Sequence, residues 1–111
     1  MKVQELEKKL AYTPVYSPYP DSEAVAAFTS DLLSDVMGKA PHESVLITIQ
    51  AHKNTIAVAT LANMKAVIIC SDRPVPQDMI EAAKTEEIAL FLTSDDQFTA
   101  SWKIAGLLNL T

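Results

Sequence analysis

Three short apolar runs constrain what this sequence can fold into: Ser44–Gln50 (SVLITIQ), Lys65–Cys70 (KAVIIC) and Ile88–Thr93 (IALFLT). Each is rich in β-branched residues and continuous rather than alternating. That is the pattern of strands buried on both faces, as in parallel sheets covered by helices. Each is followed by a helical stretch, Asn54–Met64, Gln77–Glu87 and Asp96–Asn109. The strands recur at roughly 21–22 residues, room for one strand, one helix and short loops. The periodicity is structural; no residue-level repeat accompanies it. The expected core is β-α-β-α-β-α with right-handed crossovers.

The rest of the chain adds to this core. Ala24–Phe28 is short and apolar and predicts another strand. Ser30 then stands as an N-cap for a helix over Asp31–Met37, with Leu32, Leu33, Val36 and Met37 inward and Gly38 as its C-terminal cap. Farther upstream, Val3, Leu6 and Leu10 at helical spacing predict a short amphipathic helix over Lys2–Leu10. Pro14, Pro18 and Pro20 interrupt a segment carrying Tyr12, Tyr16 and Tyr19, which is extended or looped and at best an edge strand. The fold class expected is α/β: one domain over residues 1–111, with residues 1–20 a helix plus Tyr/Pro-rich lead-in and 21–111 the core. Its mostly parallel sheet has four to five short strands with helices on both faces.

Composition narrows the function classes. An apolar fraction of 49% supplies a core without staples, and 21% charged residues do not suggest disorder. A net charge of −5, with Arg73 the single arginine and the lysines scattered, speaks against tracking nucleic-acid phosphates. Cys70 is the one cysteine, so no intrachain disulfide or multi-cysteine metal site is possible. No apolar run approaches the roughly 20 residues that span a bilayer, and the opening ten residues are charged rather than signal-like. The expected compartment is the cytoplasm, without membrane association.

In open parallel sheets ligands collect at the carboxyl ends of the strands. Here those ends deliver Thr29-Ser30-Asp31, Gln50-Ala51-His52-Lys53-Asn54, Ser71-Asp72-Arg73-Pro74 and Thr93-Ser94-Asp95-Asp96. Two readings of this polar rim stand side by side. Ser30, Asn54 and Ser94 sit where N-caps belong, and Asp31, Asp95 and Asp96 where a negative charge suits a helix dipole. Gln50, His52 and Lys53 are harder to explain as caps, and a loop His beside Lys can bind an anion. Asp35 falls late in the predicted helix, where the dipole disfavours a carboxylate.

Several chemistries lack their residues. With only Gly38 and Gly106 there is no glycine-rich phosphate cradle. His42 and His52 make no familiar zinc pattern, and no G-x-S-x-G elbow supports a serine triad. Cys70 ends an apolar strand and reads as a buried, inert thiol. Phe98 and Trp102, four apart on the last helix, read as core or as a self-association face. No metal site and no cofactor is expected.

The stretch Asp21-Ser22-Glu23-Ala24-Val25-Ala26-Ala27-Phe28, followed by Thr29-Ser30-Asp31-Leu32-Leu33-Ser34-Asp35-Val36-Met37, resembles the DRTGG domain family. Ile47-Thr48-Ile49-Gln50-Ala51-His52-Lys53-Asn54, leading into Ile56-Ala57-Val58-Ala59, is similar to that family's strand–loop–helix. The resemblance runs from about residue 12 to the end. Its helix half is matched almost throughout. In the name-giving half only Asp21 survives; Ser22 replaces Arg, and Ala26-Ala27 replace the glycine pair. Alanine there removes the backbone freedom and close ligand approach that glycine allows.

The resemblance implies an α/β domain like the N-terminal domain of HPr kinase/phosphorylase, a family found beside CBS modules or within phosphotransacetylases. It implies a regulatory role, in ligand sensing or subunit assembly, and a homodimer; the kinase chemistry of HPr kinase belongs to a P-loop domain absent from this sequence. It carries over Ser30, Asp31, Ser34, Asp35, Gln50, His52 and Asn54 as matching positions without assigned roles. Three functions follow from the sequence. The first is a non-catalytic module sensing a nucleotide or metabolite at these residues. The second is a structural or interaction subunit using the apolar last helix or the Tyr/Pro segment. The third is a small enzyme pairing His52 with Asp31 or Asp35.

Overall fold

The computed structural model describes residues 1–111. Five strands form one sheet: β1 (Thr13–Tyr16), β2 (Ala26–Thr29), β3 (Ser44–Thr48), β4 (Ala66–Ile69) and β5 (Ala89–Leu92). Five helices accompany them: α1 (Glu5–Lys8), α2 (Leu33–Lys39), α3 (Lys53–Leu61), α4 (Gln77–Glu86) and α5 (Gln97–Leu107). The sheet order is β1-β5-β4-β3-β2, with β2 to β5 parallel and β1 antiparallel at the edge beside β5. The α/β architecture, the mostly parallel sheet and helices on both faces are as the sequence predicts.

The continuous apolar runs are explained by two-sided burial. Along β3, Val45 and Ile47 join the cluster that includes Val3, Leu6, Phe91, Ala100 and Ile104, under α1 and α5. Leu46 between them packs in the opposite cluster with Val36, Ile56, Met79 and Ala83 of α2, α3 and α4. Along β4, Ala66 and Ile68 alternate with Val67 and Ile69 in the same way. Parallel strands adjacent in chain order, linked by crossovers of one hand, put α2, α3 and α4 on one face. The helix after the last strand, α5, is free to cover the other.

The edges follow sequence rules. Pro14 lies in β1, an edge strand, where a missing donor is tolerated, and the register shifts between Pro14 and Tyr16. The N-terminal helix is shorter than predicted, because Met1–Val3 instead run beside residues 22–24. The Val3 amide donates to the Ser22 carbonyl at 2.9 Å and that of Ala24 to Met1 at 2.8 Å. Gly38 is not a helix cap. It lies within α2, which ends at Ala40 in extended conformation, the geometry Pro41 imposes on the residue before it. The left-handed helix-ending positions fall to Asn63, Glu87 and Asn109 at φ 56°, 56° and 60°. No helix is long and apolar enough to cross a membrane.

Candidate functional site

Because strand order follows chain order from β2 to β5, the polar carboxyl-end loops lie in sequence along one rim. Asp31 is its centre. Its Oδ1 accepts from the Thr48 hydroxyl at 2.8 Å, the Ile49 amide at 2.9 Å and the Gln97 side-chain amide at 3.0 Å. Thr48 is wholly buried, so this bond satisfies a hydroxyl with no access to water. The Gln50 side-chain amide donates to the Asp31 backbone carbonyl at 3.1 Å, and the Gln50 backbone carbonyl accepts from Thr55 Oγ1 at 2.7 Å. The ends of β2 and β3, the start of α3 and the start of α5 are thereby tied together. Gln97 has no counterpart in the sequence-level candidates, because nothing local shows that α5 returns over β2 and β3.

The caps differ from those read in the sequence. His52, not Asn54, caps α3, its Nδ1 accepting from the Asn54 amide at 3.0 Å. Asp96, not Ser94, caps α5, its Oδ1 accepting from the Thr99 amide at 2.8 Å. Ser30 lies two residues before Leu32, the N-cap position of α2, and its hydroxyl accepts from the Leu32 amide at 3.1 Å. Asp35 is in the first turn of α2 because the helix starts two residues later than predicted, so the dipole favours it. It pairs with Lys39 at 3.0 Å, and Ser34 is exposed on the same helix; neither is bonded to the Asp31–Gln50 group. His52 and the carboxylates of Asp31 and Asp35 therefore each have partners other than one another.

A second polar group lies at the β5 end of the rim. Asp95 Oδ2 accepts from Lys103 Nζ and from the Tyr12 hydroxyl, both at 2.8 Å. The Lys103 ammonium, ahead of the Tyr12 bond, holds the Asp95 carboxyl below the usual aspartate range. Burial and the Asp95 charge together push the Tyr12 hydroxyl up. These residues, with Leu10, Asp72 and Ser94, line a cleft of about 450 Å³. Beneath the rim, burial first and the charges of Asp95, Asp31 and Asp96 next push the Cys70 thiol up to about 11. At neutral pH it is a thiol and not a nucleophile, as its place at the end of an apolar strand predicts. A larger cleft of about 510 Å³ lies at the opposite, amino end of β4 and β5, between Tyr19, Asn63, Lys65 and Glu87.

On the rim itself the exposed polar groups are Thr29 after β2, Gln50, His52, Lys53 and Asn54 after β3, Ser71, Asp72 and Arg73 after the adjacent β4, and Ser94 and Asp96 after β5. They bring hydrogen-bond donors and acceptors of both kinds, with the cations Lys53 and Arg73 on neighbouring loops. No His/Cys/Asp/Glu group has the arrangement to hold a metal ion.

No protein-family model matches the chain, and no curated protein sequence does. Among solved structures, it is similar to the CBS and DRTGG domains of the regulatory region of Clostridium perfringens pyrophosphatase, a crystal structure complexed with the activator diadenosine tetraphosphate. The match covers 90% of this chain at a TM-score of 0.71 and 15% identity. This chain spans 44% of that one, less than half its length. The chain therefore has the fold of a portion of that regulatory region.

Proposed function

We propose that this chain is a non-catalytic regulatory module of the DRTGG kind, a cytoplasmic homodimer that senses a nucleotide or related metabolite at the carboxyl-end rim. The observation that carries the reading is the fold likeness over 90% of the chain to a regulatory region crystallised with a dinucleotide activator. The sequence resemblance to the DRTGG family points the same way. Gln50, His52 and Asn54, with Lys53 and Arg73 on the same and the neighbouring loop, are the exposed ligand-contacting groups, and Ser30 before α2 with Ser34 and Asp35 on it are the further candidates. Asp31 serves them indirectly by holding the ends of β2, β3 and α5 in register.

Acid–base catalysis by His52 with Asp31 or Asp35 is disfavoured by the hydrogen bonds already described. The His52 Nδ1 is engaged with a backbone amide, and each carboxylate is engaged elsewhere. A structural or interaction subunit remains as the second reading, favoured by one observation: Phe98 and Trp102 are 82% and 64% exposed on α5.

Differential scanning fluorimetry with diadenosine tetraphosphate, ATP, ADP, AMP and inorganic phosphate tests the first reading. A ligand at one hundred times its Kd stabilises the folded state by about 2.7 kcal/mol. For a domain of this size that raises Tm by about 10 °C. The Gln50→Ala/His52→Ala variant should lose that shift while staying folded. No shift from any of these compounds at millimolar concentration, or a shift the double variant leaves intact, overturns the rim as a sensing site.

A further inference from the structure

We propose that the cleft at the amino end of β4 and β5 binds a free α-amino acid with an apolar side chain. The ligand carboxylate meets Lys65, its ammonium meets Glu86 at the end of α4, and its side chain lies along Pro18 and Tyr19. This site is at the end of the sheet opposite the rim and does not depend on what the rim binds.

Two unpaired charges of opposite sign carry the inference. Lys65 stands directly before β4 and Glu86 closes α4, and both line the cleft of about 510 Å³. Lys65 is half-buried and Glu86 exposed. Neither takes part in any of the chain's ion pairs, with the other or with a third residue. The neighbouring Glu87 is engaged by the Tyr19 hydroxyl. A half-buried ammonium has given up part of its water, and here it has gained no anion in return. A simple anion entering the cleft would meet the charges of Glu86 and Glu87, and a simple cation would meet Lys65. A ligand carrying both signs is attracted at both places.

The backbone decides which sign goes where. Glu86 and Glu87 bring the carboxyl end of α4 to the cleft. The last carbonyls of a helix have no intrahelical donor, and the macrodipole adds partial negative charge there. That field and Glu86 together favour the ligand ammonium on the α4 side and leave its carboxylate to Lys65. The rest of the lining is largely apolar. Met64, Ile88 and Ala89 are 3%, 8% and 4% exposed and close the cleft against the core, while Pro18 and the ring of Tyr19 stand open to a side chain. An acidic side chain would face Glu86 and Glu87, so an apolar one is selected. A volume of this size, with a few polar groups set among apolar ones, lies within the roughly 300–1,000 Å³ of small-molecule sites.

Thermal unfolding with L-phenylalanine, L-leucine and L-methionine tests the proposal. An amino acid in an open cleft is expected to bind with a Kd of about 1 mM. At about 10 mM the best of the three should then raise Tm by about 5 °C. Phenylpropionate, which lacks the ammonium, and phenethylamine, which lacks the carboxylate, should each give less than about 2 °C. Lys65→Met and Glu86→Gln should each weaken binding about tenfold by isothermal titration calorimetry. Both should melt like the parent without ligand, since neither side chain has an ionic partner to lose. The Gln50→Ala/His52→Ala variant should bind the amino acid unchanged. No shift from any of the three amino acids, equal shifts from the single-charge analogues, or binding that both cleft variants leave intact overturns the proposal. Binding lost in the rim variant also overturns it, by moving the amino acid to the rim. The nucleotide shifts that test the rim use other ligands, so either reading can fail without the other.

Discussion

Replacing Asp31 by alanine tests whether the centre of the rim is a brace or a free ligand group. The substitution removes the shared acceptor of the Thr48 hydroxyl, the Ile49 amide and the Gln97 side chain. Thr48 is wholly buried and Ile49 partly so, whereas Gln97 can turn to water. A donor left unsatisfied in the interior costs about 1–3 kcal/mol. Two such donors, partly relieved by local relaxation, place the loss at about 2–4 kcal/mol. For a domain expected to have about 5–15 kcal/mol in total, the variant stays folded at room temperature. Its Tm falls by about 8–16 °C. Asp31→Asn keeps an acceptor oxygen but loses the charge that roughly doubles such bonds, so about half the loss is expected. Urea unfolding followed by far-UV circular dichroism, at dilution that keeps the protein monomeric, measures both. A cycle with Gln97→Ala isolates the α5 contact, with a coupling of about 0.5 kcal/mol or more. An Asp31→Ala variant within about 0.5 kcal/mol of the parent, or a cycle without coupling, would refute the brace.

Three further outcomes follow from the same geometry. Lys103→Met should cost about 1 kcal/mol at neutral pH by removing the cation that holds Asp95 down. Because the folded pKa of Asp95 lies below its ordinary value of 3.8, this contribution is complete above that value and is lost as pH falls through the folded pKa. Urea midpoints of parent and variant should therefore converge in strong acid, and a gap that persists there refutes the pairing. Cys70, raised from 9.0 to about 11, carries about a hundredfold less thiolate than a free thiol, so native protein should label slowly with a disulfide reagent and rapidly in urea. Fast labelling of the native state contradicts its burial. Gly38→Ala should stabilise by about 0.5–1 kcal/mol, since Gly38 is helical and open to solvent, and a loss on chemical unfolding would contradict the extent of α2.

The sheet was legible because its information is local. Runs such as Val45-Leu46-Ile47 and Val67-Ile68-Ile69 declare two-sided burial, and the chain between them has room for only one helix. The helix ends were less legible. Gly38 looked like a stop, yet the stop belongs to Pro41, which acts on the conformation of Ala40. The positive-φ positions went to Asn63, Glu87 and Asn109, residues for which that region costs more than for glycine but which lie where neighbouring elements fix the chain. The N-terminal periodicity of Val3, Leu6 and Leu10 does mark buried or half-buried positions, but long-range pairing of Met1–Val3 with residues 22–24 claimed the first turn.

The candidate residues divide by the reach of the interaction that occupies them. His52 and Asp96 cap helices, and Ser30 closes the turn before α2, through neighbours two or three residues away, which a sequence does encode, although it offered Asn54 and Ser94 in place of the two caps. Asp31 and Gln97 are 66 residues apart, and Tyr12 and Asp95 are 83, so these pairs exist only once β2 and β1 have taken opposite edges of the sheet. That division bears on function. A capping side chain presents its remaining polar atoms to solvent, as exposed His52 does, and can meet a ligand without loss to the helix. Asp31 cannot give up its Oδ1 without freeing the Thr48 hydroxyl and releasing the start of α5. A ligand that drew on Asp31 would therefore move α5, while one bound by Gln50, His52 and Asn54 would rigidify the rim as it stands. Which of the two occurs decides whether binding reaches Phe98 and Trp102 at all.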